Sequence, residues 1–105
     1  MADLIEVISG SGQEVGRGEE LAPFTVRLVS EEDGSPVGGA VVSYFVDDVQ
    51  GTGTDFRGGS PVMVTSSANG IATTDVPLIA GDSAGRVDVK AIAESARCTL
   101  TLHVR

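Results

Sequence analysis

The sequence predicts an all-β fold, a two-sheet sandwich of about seven strands with no disulfide. Three observations carry that reading. Apolar and polar residues alternate along several short runs, the signature of half-buried strands. Fourteen glycines in 105 residues fall mostly between those runs, where turns are expected. Asn69-Gly70 sits between two runs suited to strands, and Asn-Gly accepts positive φ angles at little steric cost. No window shows a convincing helical period. A closed barrel is the alternative architecture.

Each element follows in order. Leu4 to Ser9 reads as a first strand, and Gly10, Gly12, Gly16 and Gly18 break any continuation. Phe24 to Ser30 alternates, with Phe24, Val26 and Leu28 on one face and Thr25 and Arg27 on the other. Glu31-Glu32-Asp33-Gly34-Ser35-Pro36 forms an acidic turn, and Gly38-Gly39 leads into a strand from Ala40 to Val46. Asp47 to Ser60 reads as a polar, glycine-rich loop containing Phe56. Pro61 to Thr65 is a short strand, with proline at the one strand position where it is tolerated. Ile71 to Val76 follows the Asn69-Gly70 turn, and Pro77 marks an edge or a bulge. Ala80 to Gly85 is another loop. Val87, Val89, Ala91 and Ala93 then alternate with polar residues, as do Cys98, Leu100, Leu102 and Val104. These last two runs read as a hairpin around Glu94-Ser95. The spacing fits two packed sheets.

Composition bounds the function. A chain of 105 residues is one domain with one modest core, here taken as residues 1–105. Aromatics make up 4% and Trp is absent, so that core must be aliphatic. Fifteen acids face seven bases, a net charge of −8. Nucleic-acid binding depends on neutralising phosphates, and this balance argues against it. It equally disfavours anionic membrane surfaces, and no apolar stretch reaches membrane-spanning length. Cys98 is the only cysteine, so no internal disulfide can form, and on an alternating strand it reads as a small buried hydrophobe. Met1-Ala2-Asp3-Leu4-Ile5-Glu6 lacks the basic start and apolar run of a signal peptide. This leaves either an intracellular protein or a module of a longer exported chain.

Two stretches carry a family resemblance. Gly34-Ser35-Pro36-Val37-Gly38-Gly39-Ala40-Val41-Val42-Ser43-Tyr44-Phe45 is similar to a Gly-x-Pro-Val-x-Gly turn entering an alternating strand. Thr65 to Leu78 is similar to an Asn-Gly-x-Ala turn with its following strand. Both resemble the bacterial immunoglobulin-like domain, group 1, of invasin- and intimin-type surface proteins. The Asp47–Ser60 loop departs from the family in its acids and Phe56. The family usually occurs as tandem repeats, whereas this chain shows one copy. The resemblance implies an immunoglobulin-like sandwich used as a spacer or adhesion module outside the cell, with no catalytic residues to carry over. Because the fold serves many functions, that implication is analogy.

His103, the only histidine, points outward near the chain's end by alternation, and no serine lies in a Gly-x-Ser-x-Gly elbow. Gly10-Ser11-Gly12-Gln13-Glu14-Val15-Gly16 is one residue too long for a dinucleotide fingerprint and lacks a helix to receive a pyrophosphate. Zinc is excluded for want of ligands. Asp47, Asp48 and Asp55 share one loop and are weak calcium candidates, with Glu31-Glu32-Asp33 in another loop; the alternative is solvated loop acids. An internal isopeptide crosslink, known in some immunoglobulin-like surface modules, would need a buried lysine, and Lys90, the only one, points outward.

The remaining candidate is a contact surface. If Ala40, Val42, Tyr44 and Val46 point inward, Val41 and Phe45 point outward, as does Ile92. The three could form one apolar patch, or be scattered surface hydrophobes. Phe56, Met63 and Arg57 form a second contact candidate in the loop region. The sequence thus points to a non-catalytic structural or interaction module without a cofactor. Its partners would be neighbouring domains or subunits, or further copies of itself, at a bacterial surface. A self-assembling coat or fibre subunit and a carbohydrate- or calcium-binding module are the alternatives. With one Tyr and three Phe, the chain is poorly supplied for stacking on sugar rings.

Overall fold

The computed structural model describes residues 4–48, 50–59, 61–94 and 96–105. Its strands are β1 (Leu4–Ser9), β2 (Gln13–Val15), β3 (Thr25–Val29), β4 (Val41–Asp47), β5 (Asp55–Phe56), β6 (Val62–Thr65), β7 (Ile71–Thr73), β8 (Leu78–Ile79), β9 (Gly85–Ala93) and β10 (Ala96–Val104). Among the described residues there is no helix. Three sheets result, in the orders β1-β3-β7, β2-β10-β9-β4-β6 and β5-β8. All pairings between strands are antiparallel except β2 with β10. Among the described residues this makes ten strands in three sheets, against the expected seven or so in two.

Alternation places the core as expected. Val87, Val89, Ala91 and Ala93 of β9 are buried, as are Leu100, Leu102 and Val104 of β10. They meet Val42 and Tyr44 of β4 from the same sheet, and Val26, Leu28 and Ala72 from the opposing three-stranded sheet, in one hydrophobic cluster. This sandwiched layer is the main source of stability, because each fully buried Val or Leu side chain contributes about 1.5–3 kcal/mol. The β9–β10 hairpin closes from Ala93 to Ala96, with Glu94 in the left-handed region at φ 53°. The turn residue Ser95, like Met1-Ala2-Asp3, lies outside the described residues.

The glycine-rich segment after β1 does more than break a strand. Gly10 and Gly12 take φ of 101° and 81°, and the chain passes from the three-stranded sheet to the five-stranded one. There β2 runs beside Leu102, His103 and Val104 of β10. Gln13 fixes the crossing. Its amide nitrogen donates to the carbonyls of Gly10 (2.7 Å) and Ala22 (3.1 Å), and its amide oxygen accepts from the Ala22 N–H (2.9 Å).

The Asn69-Gly70 turn also joins sheets. Its two arms do not pair with each other: β6 pairs with β4, and β7 pairs with β3. The Gly70 N–H donates to the Ser67 carbonyl (2.8 Å), and only Gly70 of the pair has positive φ, at 78°. The expected strand from Ile71 to Val76 is correspondingly short. Thr73 ends β7, and Thr74 donates its N–H to the Phe24 carbonyl and accepts the Phe24 N–H at its hydroxyl oxygen.

The two stretches that carry the family resemblance pack on each other. The Gly39 N–H donates to the Ser66 carbonyl (2.9 Å), and the Ala40 N–H donates to the Ser66 hydroxyl (3.0 Å). That hydroxyl in turn donates to the Val37 carbonyl (2.8 Å). A Cβ at Gly38 would stand 2.8 Å from the Ser67 carbonyl oxygen. The turn glycines therefore let two backbones touch across the sandwich end.

Candidate functional site

The outward face of the five-stranded sheet gathers most of the proposed contact residues. Register places Ser43 of β4 opposite Met63 of β6 on one side and Ile92 of β9 on the other. Val41 and Phe45 flank Ser43 on the same strand face, because side chains two residues apart share a face. Val41 is 50% exposed and Met63 65%, while Phe45 and Ile92 are half-buried. Val41, Phe45 and Ile92 thus share one face, and Met63 belongs with them rather than with the loop set.

Phe56 does not join them. It is 3% exposed and packs in the hydrophobic cluster beside Leu78 and Val62. Its strand β5 pairs with β8 across a short ladder, which turns the ring inward. That removes Phe56 from the contact surface and leaves its neighbour Arg57 exposed. A period of two runs through this loop, since Thr52, Thr54 and Phe56 are all buried. The alternation was present in the sequence but interrupted by glycines.

The three aspartates serve separate local partners. Asp47 pairs with Lys90 at 3.3 Å on the outward sheet face. Asp48 turns into its loop: Oδ1 accepts from the Thr52 N–H and hydroxyl (both 2.9 Å), and Oδ2 accepts from the Gly53 N–H (2.7 Å). Burial pushes the Asp48 carboxyl up, but these hydrogen bonds outweigh it and hold the group below its ordinary range. Asp55 accepts from the Phe56 N–H at 2.9 Å. Among the described residues, no three His, Cys, Asp or Glu side chains gather where a metal ion could sit.

Charge on the sheet face is balanced. Its strands present Glu14, Asp47 and Asp88 against Arg86, Lys90 and Arg97. Arg86 and Asp88 pair at 3.4 Å, and the Thr101 hydroxyl donates to Asp88 at 3.4 Å. His103 is exposed between Glu14 and Arg86 in the register and rims a shallow trough with Gln13 and Thr101. A second, small cavity of about 130 Å³ lies at the edge of the sandwich, between the Leu21–Phe24 and Thr74–Leu78 segments. Cys98 is half-buried, and burial raises its thiol pKa, which makes it a poor nucleophile.

No protein-family model matches the chain, and no curated protein matches it. Solved structures do. Domains 4 and 5 of the S-layer protein SbsC match at 18% identity and a TM-score of 0.67, covering 99% of this chain and 52% of that one. A glycosyl hydrolase family 2 member from Bacteroides cellulosilyticus matches at 17% identity and a TM-score of 0.72, covering 100% of this chain and 14% of that one. The D00-D0 domain of intimin matches at 16% identity and a TM-score of 0.53, covering 93% of this chain and 42% of that one. At these identities the likeness establishes the immunoglobulin-like β fold. The chain spans about half the length of the first of these structures and less of the others.

Proposed function

We propose that the chain is a non-catalytic structural module of a bacterial surface protein, a spacer or adhesion-type immunoglobulin-like domain that works without a cofactor. One observation carries the reading: almost the whole chain superposes on part of a surface-layer protein, and a second match is an intimin domain. The side chains agree with it. The lone histidine stands on an open strand face, and the loop carboxylates are spent on backbone N–H groups and one lysine. The match to part of a glycosyl hydrolase is compatible, because one fold can serve unrelated functions.

A sugar-binding role gains little support. Tyr44, Phe24 and Phe56 are buried in the core, which leaves the half-buried Phe45 as the one aromatic ring near the surface. Labelling of intact cells of the source organism with an antibody to the purified chain tests the proposal. Surface labelling is expected. Labelling only after permeabilisation would overturn it.

A further inference from the structure

Exposed large hydrophobics are not spread evenly. Leu4, Val7 and Ile8 lie along β1, whereas Val41 and Met63 stand together at one end of the outward face of the five-stranded sheet, with Phe45 and Ile92 beside them and Ser43 at their centre. A contiguous patch of this kind on a small domain marks a contact site more often than isolated residues do.

The charge pattern says what can cover it. Three carboxylates and three cations occupy the strands of this face, so it adds nothing to the chain's net charge of −8. Two copies meeting through most other surfaces would set acid against acid. Meeting through this one, they bring together apolar side chains that have equal numbers of both signs on the strands beside them, an arrangement suited to self-pairing. The area suffices for a modest contact. At a strand spacing of about 4.8 Å and about 3.3 Å per residue, the sheet presents on the order of 500 Å². Two copies overlapping across all five strands would therefore bury about 1,000 Å², the size of a weak, reversible contact.

The geometry points to a second copy of this chain as the occupant, in a two-fold, face-to-face dimer centred on Ser43 and sealed by Val41, Phe45, Met63 and Ile92. This rests on the reading of the chain as a structural module and names that module's partner. A monomer in solution would end this inference and leave that reading standing.

Sedimentation velocity from about 10 to 500 µM tests it, a span that brackets the affinity of a small interface. A dimer growing with concentration is expected, and Met63→Glu should raise its dissociation constant about tenfold or more. Leu4→Glu, an exposed site on β1 away from this face, should leave the constant unchanged. Both variants change exposed side chains and should keep the parent's melting temperature. A chemical-shift dilution series of the unmodified protein gives an independent readout, with changes expected at Val41, Ser43, Met63 and Ile92. A monomer throughout, a higher oligomer, a dimer insensitive to Met63→Glu, or one lost in Leu4→Glu would each overturn the proposal.

Discussion

The Tyr44 hydroxyl donates a 2.8 Å hydrogen bond to the carbonyl oxygen of Ala72 and so ties the two larger sheets together through the interior. Tyr44 belongs to the five-stranded sheet, and Ala72 lies on β7 at the edge of the three-stranded one. Both residues are fully buried. A phenol placed there without a partner would carry a desolvation cost.

Tyr44→Phe removes the donor and with it the bond between the two sheets. The expected loss is about 1–2 kcal/mol, or roughly 5–10 °C in melting temperature for a domain of this size. Equilibrium urea unfolding measures it. A variant as stable as the parent would show that the bond contributes nothing net.

Gly70→Ala should cost more. Gly70 holds φ at 78°, and a Cβ there would stand 2.5 Å from the Leu28 carbonyl oxygen and 3.2 Å from the Pro36 Cβ. The Gly70 carbonyl also accepts the Leu28 N–H at 2.7 Å, so the turn cannot swing away without breaking the contact to β3. The expected loss is about 2–4 kcal/mol, combining left-handed strain with the backbone clash. Gly34→Ala is the control: its φ is 72°, but nothing lies within 4 Å of the added Cβ, so only the strain of about 1 kcal/mol remains. Equal losses at the two sites would refute the packing argument.

Stability should fall on the alkaline side. Burial pushes the Tyr44 phenol far above its ordinary value and also raises the Cys98 thiol. A group whose folded pKa lies above its unfolded value holds its full contribution below the unfolded pKa and loses it as pH rises beyond. The unfolded values are about 8.5 for Cys and 10 for Tyr, so the decline begins near pH 8.5 and steepens above 10. Urea midpoints across that range should show it, and Tyr44→Phe should flatten the upper part. A midpoint constant to pH 11 would contradict the burial of both groups.

How much was legible in the sequence depends on how local each signal was. Val87 to Ala93 alternate with Ile92 as the one apolar residue on the outward side, Leu100 to Val104 alternate throughout, and the hairpin they form pairs neighbours in the chain, so both pattern and partner could be read. Val41, Phe45 and Ile92 followed from the same alternation. Met63 was legible as outward-facing, but its place beside Ser43 depends on which strand β6 joins. The Asn69-Gly70 turn was visible for the same local reason, yet its arms enter different sheets, because side-chain chemistry fixes a turn but not the distant strands beside it. The three-residue strand β2 was hidden by flanking glycines, and its ladder lies on the far end of the chain. Phe56 read as a loop residue because a two-residue strand carries no period of its own.

Asp48 organises its loop as a hydrogen-bond acceptor, and this sets opposite expectations for mutation and for calcium. Its two oxygens take the Thr52 N–H and hydroxyl and the Gly53 N–H, and the Thr52 hydroxyl lies 2.7 Å from that of Thr54 inside the sandwich end. Asp48→Ala should therefore take the acceptor from the N–H and hydroxyl of the buried Thr52 and cost about 1–2 kcal/mol. Because the folded carboxyl sits below its unfolded pKa of about 3.9, its contribution is present above that pH and fades as the solution is acidified through the folded value. The Ala variant should accordingly lose less stability than the parent between about pH 4 and pH 2. Millimolar calcium should leave the parent's melting temperature unchanged, since a coordinating Asp48 would have to release its backbone donors and Asp47 its contact with Lys90. A rise in melting temperature with calcium that disappears in Asp48→Ala would show that the loop rearranges around an ion, and this account of Asp48 would fail.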